Sequence, residues 1–589
     1  MKLGASWVLS LDEAQPWRAE PCAGLDVAHR GDSWVALHGW LYDLPELASE
    51  LGTTTRSSPT AVLLDAFNRW GVETPQHLRG TFVFAAAGAG RDTIVARDPL
   101  GSHPLFHRRI RGRHVFSESA ATLARLHGRP ALNRAALADH LCHRWPDAEE
   151  TFFEEVRRIP CGSIARLTAH GCRIERFWNP APAEGGIDWI RHGVPERFET
   201  AFTRAVDRTL SHGRVAVFLS GGLDSISIAA RAADRTRDQR QEQPLLLSLA
   251  MDDPDCDERV TQTGVATTLS LPHRLVEFEQ AVGGSGLVAP AAELSAELSS
   301  PLLNTWAPAY LHLAAGAAGE GVQSVLSGTG GDEWLSVSPY LSADLLARGD
   351  FKGWWTFFQA FRRSYRHSQT RHLSLAAWTF GARPLAARAA SGILGSPWQA
   401  RRRRRVTRND PAWIAPDSGL RRLQLERASG ALETPSPPHG FYVREMSSGL
   451  HHPLTSWELE EQYEFGKRLS QRFVHPYWDA DLVDMLYRAT PAALLDGGRA
   501  KGLVRGAMMR RFPALALGTQ RKVPGTGYFR RLVRDGLPAA AARYGDCRVL
   551  AELGVIDRDA SRRYASGGFA DPMTQWNLVN LEAWVRAQT

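Results

Sequence analysis

The stretch that most constrains this chain is Arg214-Val-Ala-Val-Phe-Leu-Ser-Gly-Gly-Leu-Asp-Ser225. Val215 to Leu219 is a short apolar run with His212-Gly213 before it and Ser220-Gly221-Gly222 after it, a pattern that predicts a buried strand. Ile226, Ile228, Ala229 and Ala230 then begin a helical pattern. A strand, a small-residue turn and a helix start make an anion site, because the first helical amides lack internal partners and carry the positive end of the dipole. Gly221 and Gly222 let the backbone approach a phosphate, and Ser220 and Ser225 add hydroxyl donors. Asp224 facing a phosphate directly would be repelled, so it is expected to hold Mg²⁺. No Gly-Lys-Ser/Thr follows, so the turn is not of the Walker type.

A second turn of this kind strengthens the first. Gln323 to Leu326 reads as a strand and runs into Ser327-Gly-Thr-Gly-Gly-Asp-Glu333. Two such turns on one sheet can meet one nucleotide, and Asp332 is the natural second Mg²⁺ ligand, since this hard ion prefers carboxylate and phosphate oxygens. Further strands are expected at Pro244 to Ala250 and His273 to Glu277. Helices are expected at Trp189 to Leu210, from Glu258 onward, at Leu311 to Ala318, and at Trp457 to Arg472, which carries Glu458, Glu460, Glu461 and Glu464. Strands alternating with helices predict a parallel doubly wound α/β sheet, with ligands at the carboxyl ends of its strands.

The first 182 residues read differently. Strands are expected at Ser33 to Tyr42 and Arg113 to Glu118, and Thr81 to Ala86 with Thr93 to Arg97 reads as a hairpin. Helical periodicity appears at Ala61 to Trp70 and Ser119 to Leu126. This predicts a layered α+β domain. Ala181 to Ile187 has the Pro/Gly content of a linker. The expected division is a domain at 1–182 and another at 188–589, with an insert near 336–449. In the insert, Trp354, Trp355, Phe357, Phe358 and Phe361 are expected in a helix core. Arg401 to Arg405 is expected as a solvated or disordered loop, with a grip on an acidic peptide as the alternative.

The six cysteines are scattered without a Cys-x-x-Cys pair, so zinc and disulfide frameworks are not expected, and a reducing cytoplasm is. Adjacent His451-His452 lacks partners at metal-ligand spacing. The net charge of +7 fits a nucleotide or anionic substrate and does not demand nucleic acid. No apolar run approaches the ~20 residues that span a bilayer.

The Ser220 to Ser225 string resembles the pyrophosphate-binding motif of ATP pyrophosphatases, the group that includes asparagine synthetases. Leu78-Arg-Gly-Thr-Phe-Val-Phe84, Ala96-Arg-Asp-Pro-Leu-Gly101 and Val115-Phe-Ser-Glu118 resemble the glutaminase domain of that family, which has an Ntn-hydrolase-type fold. The family's glutaminase nucleophile is a cysteine at position 2, where this sequence has Lys2. The resemblance therefore implies the fold without glutamine hydrolysis. Pro476-Tyr-Trp-Asp479 and Lys501-Gly-Leu-Val-Arg505 resemble further family phrases, but the family's Glu-x-Arg before the proline is replaced by Arg472 and Val474. Its acidic residue in the second motif is replaced by Thr329. Gln520-Arg-Lys-Val-Pro-Gly-Thr-Gly-Tyr528 resembles the loop whose lysine, here Lys522, lies over the reacting phosphate and acyl groups.

The resemblance implies ATP contacts from Leu219, Ser220, Gly221, Gly222, Asp224, Ser225, Ser248, Ser327, Gly328 and Lys522. It implies Mg²⁺ on Asp224 and Asp332, and catalysis by these two with Lys522. Relatives lacking the cysteine use an amine already in the substrate: β-lactam synthetases and lasso-peptide cyclases. The long insert with its aromatic and Arg runs suits a peptide. The expected function is therefore ATP-dependent macrolactam formation in a precursor peptide, alongside a leader peptidase and a leader-recognition protein. A small-substrate β-lactam or asparagine synthetase-like ligase remains as an alternative. In other classes, an RNA-modifying ATP pyrophosphatase and a non-catalytic binding protein remain.

Overall fold

The computed structural model describes the chain outside residues 1–5, 13–18, 21–23, 55–56, 89, 169–170, 181–186, 212, 365–372, 407–409, 434–439, 521–524 and 566–570. In the first part the strands are β1 (Leu9–Asp12), β2 (Ala19–Glu20), β3 (Asp26–Arg30), β4 (Ser33–Leu41), β5 (Gly80–Ala87), β6 (Thr93–Arg97), β7 (Phe106–Ile110), β8 (Arg113–Ser117), β9 (Arg157–Arg158), β10 (Ser163–Thr168) and β11 (Gly171–Arg176). They form two sheets, ordered β2-β1-β8-β7-β9 and β11-β10-β6-β5-β4-β3. The β5–β6 pair is the antiparallel hairpin expected from the sequence.

The alternation of side chains along β5 explains the layering. Phe82 and Phe84 face the helix Pro59–Trp70, where they pack with Val62, Leu63 and Phe67. Val83 and Ala85 face the other sheet and meet Leu9, Leu11 and Phe116. Both faces of β5 are covered, so its residues from Phe82 onward are all buried.

The second part is built on β12 (Val215–Phe218), β13 (Leu245–Ala250), β14 (His273–Glu277), β15 (Ser324–Leu326) and β16 (Arg472–Val474), in the order β14-β13-β12-β15-β16. All four pairings are parallel. On β12, Val215 and Val217 pack towards the helices Val194–Leu210 and Leu223–Asp238, while Ala216 packs towards Ala307–Ala318. The chain leaves β12 on one side for β13 and β14, then returns on the other for β15. The crevice between β12 and β15 is thus a topological switch point, where such sheets bind ligands.

Three elements differ from the sequence expectation. The helix expected from Trp189 begins at Val194, because Gly193 takes a left-handed conformation and Pro195 follows in the first turn. The helix expected through Arg472 ends at Leu469 with Ser470 at φ 54°, and Arg472 joins the sheet in β16. Residues 401–405, expected as a loop, lie in the helix Arg383–Val406, whose path kinks at Gly395. Arginine is a good helix former, and positive charge at a helix C-terminus is favoured by the helix dipole. The aromatic run is helical, Phe351–Ser364, with Phe357 and Phe358 buried. Most of the expected linker lies outside the described residues. Among the described residues no helix is long and apolar enough to cross a membrane.

Ion pairs lock the two parts together. Arg208 reaches Asp43 in the first part and Asp479 (2.6 Å) and Asp481 (2.7 Å) in the second. Buried Glu460 accepts from both Arg97 (3.2 Å) and Arg158 (2.6 Å). Lys467 pairs with Glu118 at 2.7 Å.

Candidate active site

Two glycine-bearing turns leave the adjacent strands β12 and β15 and press against each other. A Cβ on Gly331 would lie 2.3 Å from Asp224 Cγ, which no side chain could tolerate. Gly330 sits at φ 96°, and a Cβ there would lie 2.8 Å from Tyr477 Cβ. Small residues are therefore required for the second turn to reach the first. Tyr477 comes from the Pro476-Tyr-Trp-Asp479 stretch. Its hydroxyl bonds Ser227 at 2.7 Å and its ring stacks on Phe202. His475 bonds Ser327 Oγ at 2.7 Å, and burial lowers its pKa to about 4, so the ring is neutral.

This packing brings Asp224 and Asp332 onto one cation. Lys501 pairs with Asp224 and lies 2.8 Å from Asp332. Burial would discharge Lys501, but Asp224 and then Asp332 outweigh it and raise its pKa above the ordinary lysine value. Two carboxylates from the helix starts that follow different strands, converging on one positive centre, suit a hard divalent ion such as Mg²⁺.

The first turn also presents donors. The Gly222 amide donates to Ser220 Oγ at 3.1 Å, and the Gly221 amide donates to Glu258 Oε2 at 2.8 Å. A carboxylate oxygen thus rests on an amide of the turn expected to hold phosphate. Burial raises the Glu258 pKa, the Gly221 amide opposes this, and Asp257 adds to it.

The turns open into a cavity of about 460 Å³, a size suited to a nucleotide and part of a second substrate. Leu219, Ser220, Gly222, Asp224, Ser225, Ser327, Gly328 and Asp332 all line it. Gly221 adjoins it with its amide on Glu258. Ser248 lies behind the strand end, its hydroxyl donating to the Leu219 carbonyl at 2.8 Å and bonding His273 at 2.9 Å. It supports the turn from below. Lys522, expected over the reacting groups, lies outside the described residues, as do Lys2 and Cys22.

The cavity also holds acids that the sequence did not single out. Glu333 and Glu458 both line it. Burial, then the neighbouring Glu333, raises Glu458 to about 7. Glu333 is raised by burial, then by Asp332 and Asp224. The sequence showed four acids on one helix, Glu458, Glu460, Glu461 and Glu464, with nothing to separate them. Helical phase separates them: Glu460 meets two arginines, Glu461 accepts the Leu303 (2.6 Å) and Asn304 (3.0 Å) amides, and Glu458 is left facing the cavity. For Lys501 a signal existed, the family-like phrase from Lys501 to Arg505.

A second cavity, about 270 Å³, lies between the two parts and is lined by His38, Trp40, His103, Tyr463 and Lys467. Among the described residues no cysteine lines it. Burial raises the thiols of Cys142 and Cys172 to about 11 and also raises Cys161, Cys256 and Cys547, so none is a thiolate at neutral pH.

Comparison with known proteins matches this geometry. A glutamine amidotransferase domain model matches residues 24–178 and an asparagine synthase model matches residues 197–586. A glutamine-hydrolysing asparagine synthetase 3 of Bacillus subtilis is 30% identical over 35% of this chain and 34% of its own length. A putative glutamine-hydrolysing asparagine synthetase of Mycobacterium bovis is 28% identical over 51% of this chain and 46% of its own. Amidase chyE of Penicillium rubens is 25% identical over 54% and 49%. The chain therefore aligns with half or less of the length of each of these relatives. The asparagine synthase model covers more than half of this chain, and with the two-turn site on its parallel sheet the chain belongs to the asparagine synthase family.

Proposed function

We propose that the protein activates a carboxylate with ATP and passes it to an amine, forming an amide, AMP and pyrophosphate. The observation that carries this is the convergence of Asp224 and Asp332 on one cation across two glycine-bearing turns. In this reading the substrate carboxylate attacks the α-phosphate. Asp224 and Asp332 would hold Mg²⁺, which supplies charge neutralisation for the departing pyrophosphate. Lys501 then turns from the carboxylates to the phosphates, and Lys522 stabilises charge on the acyl-adenylate. Glu458, poised near neutrality, accepts the proton of the attacking amine. The cavity holds both reactants, which supplies the entropic part of the rate.

The amine belongs to the acceptor peptide itself in this reading. Support comes from the interdomain cavity, whose described lining holds no cysteine. The product is then a macrolactam joining the N-terminal amine of a lasso-type precursor to an Asp or Glu side chain. Mass spectrometry on a leader-free precursor tests this. The expected product is the substrate mass less one water, with AMP formed and no ammonia required. An N-acetylated peptide should be activated but not cyclised. A second reading, amide formation with ammonia on a small acid, is favoured by the named asparagine synthetases among the relatives. Ammonia-dependent gain of an amide, or glutamate release from glutamine, would establish it in place of the macrolactam.

A further inference from the structure

The two sheets of the first domain pack through an apolar layer of Leu9, Leu11, Phe116, Ala165 and Leu167. Two histidines interrupt the layer. His107 on β7 and His114 on β8 are diagonal neighbours, since His107 pairs with Phe116 and Arg109 with His114. They share the sheet face that carries Phe116. Their rings stack at 5.0 Å, and His107 Nε2 lies 2.8 Å from His114 Nδ1. Cys172 reaches the same point from β11 of the opposite sheet, packed against that layer. The three potential ligand atoms all lie within 4.8 Å of one another.

We propose that His107, His114 and Cys172 form a zinc-class metal site that clamps the two sheets of the first domain together. Two imidazoles and a thiol are the donors that borderline-soft ions select over Mg²⁺. The geometry is close to ready. Tetrahedral Zn²⁺ sets its nitrogen ligands about 3.4 Å apart and nitrogen and sulfur about 3.6 Å apart. From 2.8 Å the histidine nitrogens need to open by about half an ångström, and the sulfur, within 4.8 Å of them, to close by at most about 1.2 Å. Burial, then His114, lowers His107 to about 4, so it is in the neutral form that ligates. The Cys172 thiol, raised to about 11 by burial, ligates by releasing its proton to solvent, so affinity rises with pH. The sequence could not show this site. Its ligands come from three strands in two sheets, with none of the short spacings by which zinc motifs are read.

Cobalt is the probe, because a cobalt–thiolate bond absorbs in the near ultraviolet and tetrahedral cobalt absorbs strongly in the visible. The protein without a histidine tag is titrated with Co²⁺ under excess Mg²⁺, which competes for the carboxylate pair of the second domain. A thiolate-to-cobalt band, bleached by Zn²⁺, is expected. Cys172→Ser should abolish the band while the other cysteines remain. His107→Gln should weaken Co²⁺ binding by about tenfold or more, since even outer-shell changes cost that much. Zn²⁺ should raise the thermal midpoint of the wild type and leave that of Cys172→Ser unmoved, while the two midpoints agree without metal. Absence of the band in the wild type overturns the proposal. So does its survival in Cys172→Ser, or, should that variant not fold, undiminished Co²⁺ affinity in His107→Gln.

Discussion

One helix, Pro453–Leu469, walls two cavities of opposite character. Towards the parallel sheet it offers Glu458, beside Glu333, Asp332 and Asp224. Towards the first domain it offers Tyr463 and Lys467, beside His38 and His103. The first cavity gathers acids that repel one another until a cation or a proton intervenes. In the second, burial lowers His38 to about 4 and His103 well below its ordinary value, so these rings are neutral. Carboxylates crowded about one lysine, with Glu333 and Glu458 raised by burial and by their acidic neighbours, mark a functional-site candidate, because perturbed groups of one sign cluster where a ligand can balance them. His38 and His103 bond each other at 2.6 Å and are neutral, so these two rings leave no charge for a ligand to balance.

The contrast can be broken most directly at the carboxylate pair. Asp224→Ala or Asp332→Ala should lower ATP–pyrophosphate exchange by about a thousandfold while circular dichroism is unchanged. Normal exchange in both would remove the reason to separate the two cavities. Next in size is Lys522→Ala, expected to cost about 3 kcal/mol, a rate loss of about a hundredfold. Lys501→Ala compared in the same assay shows which lysine meets the phosphates.

Glu458 sharpens the contrast through pH. A base must be ionised, so turnover should rise as pH climbs through about 7, the value at which Glu458 titrates with Glu333 beside it. Glu458→Gln should slow turnover by about a hundredfold at high pH and flatten that limb. Its folded pKa is raised, so its ionisation weakens the fold as pH rises through that value, and the Gln variant should be the more stable form above it. An unchanged pH profile would assign the limb to another group.

The smallest effect on turnover is expected at the second cavity. Lys467→Met should leave exchange within about twofold of wild type, because only stability is at stake there. It removes the cation beside buried Glu118, whose pKa burial raises and Lys467 opposes. Stability should fall by about 1–3 kcal/mol. The loss should grow as pH rises above the ordinary Glu range, where the uncompensated carboxyl must either ionise or stay protonated. A large fall in exchange with unchanged thermal stability would mean that the two cavities work as one.

Much of this protein is local, and the sequence alone determined it. The apolar run Val215 to Leu219, the glycine turns and the helix starts specify strand–turn–helix units through short-range periodicity and backbone freedom. They fixed the parallel sheet and named Asp224 and Asp332. The hairpin Thr81 to Arg97 was legible for the same reason. Tertiary structure alone decided which charges share a point in space. It put Lys501 between two aspartates 277 and 169 residues away in sequence, sorted Glu458 from Glu460 and Glu461, and turned Ser248 behind the strand end. It also brought His107, His114 and Cys172 together from two sheets. Periodicity tells which face of an element is buried, but the field at a site depends on which faces meet, and only the packed fold contains that.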